Sequence, residues 1–125
     1  MGAVVQMEIW PSVTEEDMKA AKELLNKYPM ICRRIEVFSD KEHLSQEQSV
    51  TLQMDKRTKS EIEAGFKLIL DDEVKRILEH RYIKGKKHKY TIARFHNSTS
   101  PSTINRRIEA GVKTIAECLK LAGVI

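Results

Sequence analysis

Residues 71–125 read DDEVKRILEHRYIKGKKHKYTIARFHNSTSPSTINRRIEAGVKTIAECLKLAGVI, and this stretch decides the fold. Behind Asp71-Asp72-Glu73, where the carboxylate of Asp71 or Asp72 can accept from the unpaired amides of a first helical turn, Val74, Ile77, Leu78, Arg81 and Tyr82 recur at helical spacing. That helix is expected to end near Gly85. A short helix from Tyr90 to Phe95 should follow, with Ile92, Ala93 and Phe95 facing inward. His96-Asn97-Ser98-Thr99 makes a turn, and Ser100-Pro101 supplies a cap and a first-position proline for the last helix. There Ile104, Ile108, Val112, Ile115 and Leu119 lay down one continuous apolar stripe. The opposite side shows Ser102, Thr103, Asn105, Arg106, Glu109 and Lys113, with Arg107 at its flank.

Working toward the N-terminus, the pattern stays helical. Arg57 to Leu70 reads as a helix with Ile62, Phe66 and Ile69 on one face and Leu70 beside them. Thr14 can cap a helix whose first turn holds Glu15, Glu16 and Asp17, where negative charge is favoured. Met18, Ala21, Leu24, Leu25 and Tyr28 follow at helical spacing, and Pro29 is expected to stop or bend the run. Met30 to Val37 reads as a second segment. From Ser39 to Lys56 the periodicity is lost, which predicts a linker with one turn of helix around Ser45 to Val50. The expected fold is all-α, with an N-terminal helical region and linker over 1–56 and a C-terminal module over 57–125.

The chain has 125 residues, 41% hydrophobic and 32% charged, the proportions of a soluble globular protein of one domain. No apolar run approaches a membrane span. MGAVVQMEIW lacks a basic segment and a long apolar stretch, so export is not expected and a cytoplasmic location is. Cys32 and Cys118 then read as reduced, buried thiols.

Charge is unevenly placed. Residues 71–125 hold twelve Lys+Arg against six Asp+Glu, whereas residues 1–70 hold ten against twelve. Lys84-Gly85-Lys86-Lys87-His88-Lys89 packs four lysines into six residues, and each can displace counterions condensed on a nucleic-acid backbone. On the last helix, Asn can pair with adenine and Arg with guanine through two hydrogen bonds, and Ser and Thr can contact base edges or phosphates. The order of elements matches a helix-turn-helix. The expected base-contacting residues are therefore Ser102, Thr103, Asn105, Arg106 and Arg107; the expected backbone-contacting residues are Lys84, Lys86, Lys87, Lys89, Ser100 and Lys113.

Residues 70–121 carry a resemblance. V-x-x-I-L-x-x-R-Y-x-x-G over Val74 to Gly85, with the Ser-led last helix containing R-I-E-A-x-V over Arg107 to Val112, is similar to region 4 of bacterial sigma factors. It is similar more closely to phage and prophage transcriptional regulators of the ArpU and RinA type. The segment before Ile92-Ala93 lacks the acidic residue of the sigma pattern. The resemblance implies a sequence-specific regulator of transcription on double-stranded DNA, an activator of phage late genes acting in the bacterial cytoplasm with RNA polymerase.

The same residues also suit a small DNA-recognition subunit of a phage packaging machine, or an adaptor that contacts polymerase without a DNA site of its own. The exposed-looking Trp10, Met30 and Phe38 point to self-association or polymerase contact by the N-terminal helices, a homodimer suiting palindromic sites; the same helices could equally close onto the C-terminal core. No enzyme is expected. His43, His80, His88 and His96 lack metal-ligand spacing, the acidic pairs are explained by helix starts, and no nucleophile or nucleotide motif is present, so neither a metal nor a cofactor is expected.

Overall fold

The computed structural model describes residues 12–125, and the described residues form an all-α fold. Trp10 and Pro11 lie outside them. The helices are α1 (Glu15–Ser39), α2 (Gln46–Lys67), α3 (Asp72–Leu78) continued by a π-helical segment (Glu79–Ile83), α4 (His88–Phe95) and α5 (Pro101–Leu121). Five helices enclose one core, built from Ala21, Leu25 and Tyr28 of α1, Ile62 and Phe66 of α2, Ile77 and Leu78 of α3, and the whole predicted stripe of α5.

The helix starts follow local chemistry. Thr14 and Asp17 form a reciprocal capping box, and Ser45 and Gln48 form a second. Asp71 accepts from the amides of Glu73 and Val74, and Ser100 from that of Thr103.

Two expectations are corrected. Pro29 does not stop the first helix, which runs to Ser39. An interior proline costs about 3 kcal/mol through its lost amide and ring crowding. Here burial of Ile31, beyond the proline, continues the stripe of Leu25 and Tyr28 and offsets that cost. The segment from Ser39 to Lys56 is no linker: the loop is short and α2 begins at Gln46. Its apolar rhythm is hidden because Asp55 occupies an inward position between Leu52 and Ile62. There the buried carboxylate receives two hydrogen bonds of 2.7 Å from Arg34 of α1. Position 56 consequently falls inside α2, whose far half shares its core with α1 and α5.

Smaller differences concern single side chains. Leu70 is 94% exposed, since α2 has ended and the chain turns at that point. In α4, Ile92 and Phe95 pack on the core, but Ala93 is exposed and the fully buried residue is Thr91. Cys118 is buried and Cys32 half-buried, both as free thiols.

Candidate functional site

The basic loop after the π-helical segment is held in shape by backbone and side-chain bonds. Gly85 takes a φ of 65°, a left-handed conformation that glycine adopts without the crowding a side chain would bring. The ring of Pro29 lies against it, 3.2 Å from where a β-carbon would sit. The Lys86 amide donates to the His80 carbonyl at 3.3 Å, and Arg81 Nη1 donates to the Lys86 carbonyl at 3.2 Å. Lys84, Lys86, Lys87 and Lys89 are all exposed on this anchored loop and at the start of α4. Lys89 also lies over the exposed ring of Tyr90, 5.1 Å from its centre.

α4 begins without a carboxylate and without a side-chain cap, and α5 begins without a carboxylate, whereas the first turns of α1, α2 and α3 all carry acids. The positive ends of α4 and α5 are therefore not compensated by acids in their own first turns.

On α5 the predicted face is split. Ser102, Asn105, Arg106 and Lys113 are exposed and lie opposite the buried stripe. Thr103 is half-buried, its hydroxyl accepting from Ser100 at 2.9 Å and from Arg106 Nη2 at 3.2 Å, which lays the Arg106 side chain along the first turn. The Ser100 hydroxyl is engaged in this cap. Arg107 turns back onto α3, with Nη1 3.2 Å from Glu73 Oε1 and shut off from solvent. Four of the predicted residues, Ser102, Asn105, Arg106 and Lys113, thus share the outer side of α5, while Thr103 and Arg107, one turn apart, lie half-buried at its flank.

Glu109 would place a negative charge between Arg106 and Lys113, one and two turns along. Lys22 of α1 pairs with it, so a residue 87 positions away offsets the one acid on that face. Sequence reading missed Lys22 because nothing local links α1 to α5.

It also missed the junction between the π-helical segment and α4. His80 Nδ1 lies 2.9 Å from the hydroxyl of buried Thr91, and its ring meets Phe95 edge-on at 5.7 Å. A cleft of about 400 Å³ beside it is lined by Arg76, Lys84, Arg94 and Ser98 together with Glu73 and Glu79. Burial first, then Lys84, Arg94 and Lys86, push the His80 pKa below its ordinary value. Arg94 was legible in principle: once Thr91 and Phe95 face inward, helical spacing turns Arg94 outward.

Among the described residues no three His, Cys, Asp or Glu side chains converge to hold a metal ion, and no helix is long and apolar enough to cross a membrane. Comparison with protein-family models, curated protein sequences and solved structures returns no match.

Proposed function

We propose that this chain binds double-stranded DNA through α4 and α5, used as a helix-turn-helix. The observation that carries the reading is the exposed face of Ser102, Asn105, Arg106 and Lys113, flanked by an anchored loop of exposed lysines. Between residues 84 and 113 stand eight Lys+Arg, of which Arg107 is drawn to Glu73, and one carboxylate, which is already paired with Lys22. Such a surface meets a polyanion without an electrostatic penalty.

In this reading α5 lies in the major groove with its first two turns toward the bases. Asn105 and Arg106 supply paired hydrogen bonds to base edges, and Ser102 a single one. Lys84, Lys86, Lys87 and Lys89 meet phosphates on one side, Lys113 on the other. These contacts fix register and release counterions, while Asn105 and Arg106 confer preference. The likeness of residues 70–121 to sigma-factor region 4 supports regulation of transcription as the setting.

The test is binding of the full chain to duplexes selected from a random pool, titrated with salt. A specific site should exceed random duplex by about a thousandfold or more, with affinity falling steeply as salt rises. No selected sequence and no salt slope would remove DNA from the reading and leave an adaptor that contacts acidic protein surfaces.

A further inference from the structure

We infer that the outer part of the α1–α2 hairpin pairs with the same part of a second copy of this chain. Tyr28 donates to Glu63 and Arg34 to Asp55, so the two helices run antiparallel and in register. No described hydrophobic residue from 33 to 56 belongs to the central core or packs against it, so this arm stands away from the five-helix body, which α2 rejoins where Arg57 donates to the Ala122 carbonyl. On it Met30 and Val37 of α1, and Val50 and Met54 of α2, are each more than half exposed. Apolar side chains concentrated on one projecting arm mark a contact surface.

Charge identifies the occupant. The arm, residues 30–56, holds four Lys+Arg and five Asp+Glu, so two copies approach it without net repulsion, unlike the strongly cationic region 84–113. Three of the arm's five carboxylates stand at its tip, with Glu36 exposed partway back and Asp55 buried against Arg34. Asp40, Glu42 and Glu47 are exposed at the tip, and Arg33 and Lys56 are exposed nearer the body; Lys41, a cation at the tip, is drawn to Gln48 at 3.2 Å.

A two-fold axis across the middle of the arm sets each acidic tip beside the other copy's basic root, and does so twice. It also brings Met30 of one copy toward Val50 of the other, with Val37 and Met54 close to the axis. An isologous contact needs this kind of self-complementarity. Each arm offers a face roughly 20 Å square, from about 12 residues of each helix, which lies at the small end of stable interfaces and makes the pairing reversible.

Sedimentation of the full chain, without DNA, over a range from micromolar upward tests this independently of the DNA reading. A monomer–dimer equilibrium is expected. Val37→Glu with Met54→Glu should weaken it at least about tenfold while helical circular dichroism stays unchanged. The pair Asp40→Lys/Glu42→Lys should weaken it as well, and so should Arg33→Glu/Lys56→Glu. An equal mixture of those two charge-reversed proteins should dimerise again, because both tip-to-root contacts are restored in the mixed pair. A wild-type chain that stays monomeric, its arm covered by residues 1–11 or left for another protein, overturns the inference. So does a dimer that ignores these substitutions, or a mixture that associates no better than its components.

Discussion

Arg107 points its guanidinium at Glu73, with 3.2 Å between Nη1 and Oε1, and this tie gives two adjacent arginines different work. Arg106 lies along the outer side of α5; Arg107 pins α5 to the first turn of α3. Replacing Arg106 with Ala should lower affinity for a selected duplex by about 1 to 3 kcal/mol and relax preference at one base pair. Replacing Arg107 with Ala should leave base preference intact and cost no more than about 1 kcal/mol of stability, the range for a partly exposed pair. Competition binding with single-base variants, alongside thermal unfolding, separates the two.

The loop lysines should behave differently from Arg106. Lys86→Ala and Lys87→Ala should weaken every duplex alike, and each should reduce the slope of log affinity against log salt by about 1. Their exposure predicts unchanged thermal midpoints. Salt titrations on specific and random duplexes check this.

Gly111 marks the closest approach of α5 to α3. A β-carbon there would stand 2.6 and 2.8 Å from the two methyls of fully buried Leu78, and 2.9 Å from Val74 Cγ1. Gly111→Val should therefore destabilise by about 1 to 3 kcal/mol or more, overpacking outweighing any gain in helix propensity. Ile108→Ala, on the same helix, should cost about 2 to 5 kcal/mol through the cavity it leaves. Denaturant unfolding measures both.

The Arg34–Asp55 pair predicts an asymmetry. Arg34→Ala leaves the buried Asp55 carboxylate without its partner and should cost about 3 kcal/mol or more, whereas exchanging Asp55 for Leu together with Arg34→Met should be close to neutral. Equal losses in the two variants would argue against this account of why a carboxylate sits there.

His80 links stability to pH. Its folded-state pKa is depressed by burial and by Lys84, Arg94 and Lys86, so below about 6.5 the unfolded chain binds the proton more readily. The contribution from the neutral ring is full above that value. It is lost as pH falls from the unfolded pKa toward the folded one. NMR titration should find the His80 imidazole titrating below its ordinary value, and His80→Phe should flatten the stability profile in that window.

Local rules reached far into this fold. Caps at Thr14, Asp71 and Ser100 and the unbroken stripe Ile104 to Leu119 were readable because each rests on contacts within a few residues or on one period. The same rules failed where a distant partner changed the meaning of a residue. Asp55 looked like part of a linker because its partner is on α1, and Pro29 looked like a stop or a bend because the packing that carries the helix past it is tertiary.

The sequence by itself determined that the chain is helical, where α5 begins and which side of it is buried, since hydrophobic spacing and capping act locally. Only the tertiary structure decided which polar residues remain on the outer side. Lys22 offsets Glu109, Glu73 withdraws Arg107, and Thr91 is buried against His80, because each of those pairings is set by how helices pack rather than by what stands nearby in the chain.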